Sequence, residues 1–375
     1  MNLDHLQLQQ LWWIILSLVG ALFLFMTFVQ GGQTLLFTTA RSAPERTLMV
    51  NALGRKWELT FTLLVLFGGA FFAAFPRFYA VSFSGAYWVW MLILITFVLQ
   101  AVSFEFRSKA GNLFGARVYE GFLFINGSLG ILALGAAIGT LFTGGNFLID
   151  EFNLIRWGNP WHGLEALLVP FNVALGLVAV FLARVLGALY LVNSLRAEEL
   201  TARLRRAAWK NLLPLVILIP FLLISWQTMT GYGYGESGEI LAAAGKHWDN
   251  LFNLGLFGIG FFLIGAALTA GGAGLARFTA STKGIWLSGA GAILIGLALF
   301  LILGLEQTAF YPSLLDPASS LTIRNASSSR YTLAAMTWVA LAVPVILGYV
   351  AYVWRLMNAT PLSADDMDKD RHHSY

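Results

Sequence analysis

The stretch that decides the fold is LWWIILSLVGALFLFMTFVQGGQTLLF, residues 11–37. It contains no charged side chain and exceeds the ~20 residues with which a helix crosses about 30 Å of hydrocarbon. Two carboxamides, Gln30 and Gln33, flank a Gly-Gly pair within it. A buried amide without a partner costs roughly 2–7 kcal/mol. The stretch therefore predicts a membrane helix that needs polar groups near its end.

The composition extends this prediction to the whole chain. Of its 375 residues, 58% are apolar and only 11% are charged, whereas soluble domains average about 25% charged residues. We predict an all-α integral membrane protein that forms a single polytopic domain over residues 1–375, with a charged cytoplasmic tail at 359–375. The nine predicted transmembrane helices lie at about 11–37, 59–80, 85–103, 121–143, 164–193, 212–230, 251–276, 285–305 and 333–354.

A weak internal similarity bears on how these helices are grouped. The segment ERTLMVNALGRKWE (45–58) precedes the second span, and EELTARLRRAAWKN (198–211) precedes the sixth. A repeat would predict two four-helix bundles plus one extra helix. Two unrelated amphipathic connectors would explain the similarity equally well.

The placement of Lys and Arg predicts the orientation. The odd-numbered connections and the C-terminal end hold 17 of these residues, and the even-numbered connections hold 5. Because positive loops stay in the cytoplasm, the N-terminus is predicted to be periplasmic and the C-terminus cytoplasmic. Nine crossings also require opposite sides for the two termini.

The sequence offers few side chains that could bind a metal or a haem iron. The chain has no cysteine, and its histidines (His5, His162, His247, His372 and His373) fall in predicted loops or tails. An axial haem ligand would have to come from inside the membrane. We therefore predict no metal site in this chain, and we expect no nucleic acid as a partner.

Candidate residues for a proton pathway gather at the predicted cytoplasmic ends of the first three spans. Polar groups in the membrane are costly and mark pathways, and a carboxylate at such a mouth can load protons. Acids at helix entrances can equally serve only to offset the helix dipole. The candidates are Glu58, Glu105, Trp57, Gln30 and Gln33, with Arg107 and Lys109 in supporting positions.

Several of these residues belong to motifs with a family likeness. The chain carries GRKWELTF (54–61), GGAFFAAFP (68–76), FSGAYW (83–88) and FEFRSK (104–109) in this order, and SLTIRNASSSRYT (320–332) before its last span. In these motifs, and in length and number of spans, it resembles subunit II of the cytochrome bd quinol oxidases.

The resemblance implies a membrane complex that oxidises quinol and reduces dioxygen to water, with protons drawn from the cytoplasm. Two haems b and one haem d are expected in the partner subunit I, and none would be ligated by this chain, which alone would not be catalytic. A heterodimer in the bacterial inner membrane is expected, with a small accessory membrane subunit, lipid and quinone as further partners. Whether the quinol is ubiquinol or menaquinol stays open.

The sequence departs from the family pattern at two places. The family commonly has D-G-F-D where this chain has Gln30-Gly31-Gly32-Gln33, and often Arg-Pro where Gln100-Ala101 stand. Amides donate and accept hydrogen bonds but do not exchange protons near neutral pH. We therefore expect Gln30 and Gln33 to order water or contact the partner. The changes suggest a divergent branch, for which cyanide-insensitive and menaquinol-using kinds are alternatives.

A secondary transporter is the alternative function. Nine spans and an internal repeat would suit one, but transporters place polar groups at the midplane of broken helices. Here the polar residues gather toward one end of the spans, which favours the oxidase subunit.

The charge distribution makes a testable prediction about topology. A reporter that is active only in the cytoplasm should be active when fused after Tyr375. Activity of a periplasm-dependent reporter at the same position would contradict the predicted orientation.

Overall fold

The structure, a computed structural model, describes residues 3–109, 111–357 and 361–362. Within these residues, nine helices are long and apolar enough to cross a membrane, which confirms the predicted fold class. They are α1 (His5–Gln33), α2 (Trp57–Ala74), α3 (Tyr87–Phe106), α4 (Ala116–Thr143), α5 (Pro170–Ser194), α6 (Glu198–Thr228), α7 (Gly255–Phe278), α8 (Gly284–Gly304) and α9 (Arg330–Met357).

Several helix bounds differ from the predicted spans by about six residues or more, and two of these differences have a clear local cause. Helix α2 ends at Ala74 and not near residue 80, because Pro76 cannot continue the hydrogen-bonded backbone. Helix α6 begins at Glu198 and not at 212, because the amphipathic segment before the apolar run is also helical. The grouping into two four-helix bundles stays a prediction, and nearly all of the predicted tail at 359–375 lies outside the described residues.

The connections differ between the two ends of the bundle. The end at which α1 begins, here the N-terminal face, carries three antiparallel hairpins. The opposite end, here the C-terminal face, carries a connector helix, Ala43–Gly54, between α1 and α2. The hairpins are β1 (Phe147–Ile149) with β2 (Ile155–Trp157), β3 (Thr230–Tyr234) with β4 (Ile240–Ala244), and β5 (Ala309–Tyr311) with β6 (Leu321–Thr322).

Helix α1 lies at the centre of the packing, against α2, α5 and α8. Near the N-terminal face its Trp13 is buried, and the indole Nε1 donates to the carbonyl of Phe300 at 2.8 Å. The Trp13 ring meets Phe71 and Phe75 edge-on. An indole N–H needs such a partner when it is buried, so this contact fixes the angle of α1 against α8.

Near the C-terminal face, α1 and α5 approach each other through glycine. A methyl group on Gly31 would overlap the carbonyl of Ala183, and one on Gly187 would overlap the backbone of Gly31 and Gly32. Small residues at helix crossings let backbones pack closely where no hydrophobic effect drives association. The Gly-Gly pair between the two glutamines therefore sets the position of the end of α1.

We expect Gly31→Ala to lower the thermal unfolding midpoint of the purified protein, because added volume in a packed crossing typically costs about 1–3 kcal/mol. Gly271→Ala on α7 is the matched control, since a methyl group there meets nothing within 4 Å. Equal midpoints for the two variants would contradict the close crossing.

Candidate functional site

An amide cluster lies in the half of the bundle nearer the C-terminal face. It consists of Gln30 on α1, Gln100 on α3 and Asn126 on α4, all with 0% exposure. The Gln30 Nε2 donates to Gln100 Oε1 at 3.3 Å. Gln33, one turn along α1, is buried equally deeply. The structure thus joins the two positions at which the sequence departs from the family pattern.

Most of the hydrogen-bonding capacity of these amides is unused. No partner among the described residues is found for Gln30 Oε1, Gln100 Nε2, or either side-chain polar atom of Gln33 and Asn126. Each unsatisfied group in an apolar interior is costly. Buried polar groups of this kind are typically satisfied by ordered water. The cluster is therefore suited to hold water molecules between α1, α3 and α4.

Asn126 is a member of the cluster that sequence reasoning missed. It opens a π-helical segment, Asn126–Gly130, within α4, and such wider turns often occur at functional sites. This segment packs against the Gln30 end of α1 and against α3. The polar triplet Asn126-Gly127-Ser128 inside an apolar span was the signal that could have identified it.

A buried ion network lies at the C-terminal face next to the cluster. Glu120, 2% exposed, accepts hydrogen bonds from Arg46 Nε at 2.8 Å and from Arg107 Nη2 at 2.7 Å. Arg107 also donates to Thr47 Oγ1 at 2.8 Å. The network ties the connector helix to the ends of α3 and α4. Glu120 is a second functional candidate that the sequence did not reveal, because its partners are distant in the chain.

The predicted acids occupy a different environment. Glu58, in the first turn of α2, and Glu105, near the end of α3, are both exposed in the isolated chain. Arg107 pairs with Glu120 and not with Glu105, and Lys109 is exposed. Trp57 stacks on Phe104 with ring centroids 5.7 Å apart. The structure therefore gathers these residues on one face, but it does not bring them into one site.

Lys56 is an unexpected buried cation beside Glu58 and Trp57. Its Nζ lies 4.6 Å from the centre of the Trp354 ring and 3.2 Å from Met357 Sδ. Burial and, to a smaller extent, the neighbouring charge of Arg55 together lower the pKa of Lys56 to about 8. The end of α9 therefore covers the entrance to α2.

The side chains around a large apolar cavity offer no haem ligand. This cavity, about 610 Å³, is lined by residues of helices α1 to α8, and no histidine or methionine is among the described residues of its lining. His247 is buried, and burial lowers its pKa to about 4. The Nε2 atom of His247 faces the backbone of Gly231: a methyl group added to Gly231 would lie 3.2 Å from it. Strand β3 therefore occupies the side of the ring at which an iron would have to bind. Haem ligation by the partner alone stays a prediction.

We expect Glu120→Gln to lower the thermal unfolding midpoint strongly, because removing one member of a buried ion pair typically costs about 3–5 kcal/mol. The substitution leaves the Arg107 and Arg46 guanidinium groups without a counter-charge. Glu105→Gln is the matched control, since Glu105 is exposed. A larger loss for Glu105→Gln than for Glu120→Gln would contradict the observed pairing.

Comparison with solved structures supports the arrangement of the helices. The chain is similar to the bd oxidase from Geobacillus thermodenitrificans, with a TM-score of 0.62 over 94% of this chain and 99% of that chain. The sequence identity is only 9%, so this similarity concerns the fold alone.

Comparison with known sequences identifies the family. The family model for cytochrome bd terminal oxidase subunit II matches residues 8–357. Cytochrome bd-I ubiquinol oxidase subunit 2 of Escherichia coli is 29% identical over the full length of both chains. Cytochrome bd ubiquinol oxidase subunit 2 of Bacillus subtilis is 27% identical, over 95% of this chain and 99% of its own. The bacterial relatives and the nine spans indicate the inner membrane. The chain therefore belongs to the cytochrome bd terminal oxidase subunit II family, as one subunit of a quinol oxidase complex that includes a subunit I.

Proposed function

We propose that this chain is the haem-free subunit of the oxidase and that it guides protons from the cytoplasmic side toward the oxygen-reducing site in subunit I. The observation that carries the proposal is the amide cluster, with six unpartnered polar atoms on Gln30, Gln33, Gln100 and Asn126. Water held there would provide a hydrogen-bonded path through otherwise apolar helices.

The amides order this water and do not carry the proton themselves. Each carboxamide offers both donors and an acceptor and does not titrate near neutral pH. A proton can then pass along a water chain without meeting a fixed charge in the membrane, where charge is costly. The cluster is neutral, and the charged Glu120 network lies at its entrance.

Glu58 is the proposed acid at the entry, with Glu105 second. Both lie on the C-terminal face, which the Lys and Arg distribution predicts to be cytoplasmic. Because Glu58 is exposed in the isolated chain, subunit I would have to bury it for it to act as the entry of a relay.

The large apolar cavity supports the remaining parts of the proposal. Its lining of side chains such as Phe67, Leu182 and Phe300 suits the hydrocarbon part of a lipid or quinone. Dioxygen is also apolar and would enter such a space readily. We propose that the cavity shapes lipid or quinone contacts and oxygen access, while two haems b and haem d are held by subunit I. A small accessory subunit remains a further proposed partner.

The secondary-transporter alternative is not supported. Family membership assigns the chain to an oxidase. Transport sites are expected at the midplane of the membrane, whereas the amide cluster lies closer to the C-terminal face.

We expect Glu58→Gln to slow oxygen consumption by the purified complex by roughly tenfold, the effect of about 1.4 kcal/mol added to a rate-limiting barrier. Haem content and assembly should stay normal, as measured from the optical spectrum. Glu236→Gln, an exposed acid on the N-terminal face, is the control. A wild-type rate and pH profile for Glu58→Gln would show that this carboxylate only caps α2.

The variant Asn126→Leu tests whether Asn126 orders water or only contributes to folding stability. Replacing an unpartnered buried amide by an apolar side chain of similar size should leave stability unchanged or raise it, because the desolvation cost disappears. Oxygen consumption should nevertheless fall. Gln30→Asn and Gln33→Asn should lower oxygen consumption less than Glu58→Gln does. Normal turnover by a well-folded Asn126→Leu complex would remove the cluster from the proton path.

A further inference from the structure

A second cavity, about 260 Å³, lies at the N-terminal face, at the opposite end of the bundle from the amide cluster. It lies where α3, α4 and α5 reach the hairpins β1–β2 and β5–β6. Its polar and aromatic lining includes Trp90, Thr140, Trp157, Glu165, Asn172 and Tyr311.

The acid in this cavity, Glu165, is partly buried and has no cationic partner among the described residues. Glu165 Oε1 accepts from Asn159 Nδ2 at 3.1 Å and from Asn146 Nδ2 at 3.4 Å. Glu165 Oε2 is shielded from solvent and has no partner among the described residues. No lysine, arginine or histidine is among the residues that line the cavity. A carboxylate in such surroundings is costly unless a cation pairs with it.

The walls indicate which kind of cation fits. Trp90, Trp157 and Tyr311 contribute aromatic rings, and the faces of such rings attract ammonium groups. The indole Nε1 of Trp157 packs against Gly85, where an added methyl carbon would lie 2.5 Å from it, so the carboxylate of Glu165 is the polar group that the cavity offers to a ligand.

A metal ion fits less well than an organic cation. Hard cations take six to eight oxygen ligands, and Glu165 is the one acid in the described lining. Among the described residues, no group of three or more His, Cys, Asp or Glu side chains could hold a metal ion.

We propose that this cavity binds a primary ammonium group against Glu165 Oε2. The position at the ends of three membrane helices makes the headgroup of an aminophospholipid one source of this chemistry. A free small amine is the other source.

The test uses the intact oxidase complex with phosphatidylethanolamine or phosphatidylglycerol in nanodiscs, and free ethanolamine at constant ionic strength as a third probe. Retained lipid is measured by native mass spectrometry, and ethanolamine affinity by calorimetry. Glu165→Gln should weaken binding by about tenfold or more, the range expected for a lost hydrogen bond to a charged group. Glu151→Gln, an exposed acid in the same connection, should bind as the wild type does.

Retention of phosphatidylethanolamine that is lost in Glu165→Gln identifies the lipid as the source. Binding of ethanolamine without selective lipid retention identifies the free amine. Trp90→Leu, which leaves the carboxylate in place, should also weaken binding and serves if Glu165→Gln does not assemble. The proposal is overturned if neither probe binds, or if the variants bind as tightly as the wild type.

Discussion

The hydrocarbon interior offers no water to an unpaired polar group, and the arrangement of α1, α3 and α4 depends on this constraint. Gln30 and Gln100 satisfy each other only in part, through one hydrogen bond at 3.3 Å. The remaining amide atoms have no protein partner among the described residues. A chain that kept such groups merely for packing would be more stable with apolar ones. A contribution to stability therefore does not explain these buried amides, whereas the bound water that we propose would.

The glycine crossing and the ion network position the amides. Gly31 and Gly32 bring α1 against α5 at the turn that carries both glutamines. On the outer side, Glu120 ties Arg46 of the connector helix to Arg107 at the end of α3. The glycine crossing positions the end of α1, and the ion network positions the connector helix that follows α1. Both contacts therefore help to position the amide cluster.

Hydropathy was enough to predict the nine helices found among the described residues, because span length and apolar composition are local properties of the chain. The buried partners were not predictable in this way. Arg107 was predicted only as a supporting residue in the same connection as Glu105, and its pairing with Glu120 near the start of the next helix could not be read from the sequence. Asn126 was overlooked for the same reason: its place beside Gln30 follows from helix packing, which periodicity does not reveal.

The contact between Gln30 and Gln100 joins the two positions at which this chain departs from the pattern that the resemblance implies. That pattern has an acid at the first position and often an arginine at the second. An acid kept at residue 30 opposite Gln100, or an arginine kept at 100 opposite Gln30, would leave one buried charge unpaired, which costs several kcal/mol. Replacing both charges by amides keeps the site neutral and keeps a hydrogen bond between the helices. The two departures therefore meet at one contact between α1 and α3, which is neutral and leaves other amide atoms of both residues without a protein partner among the described residues.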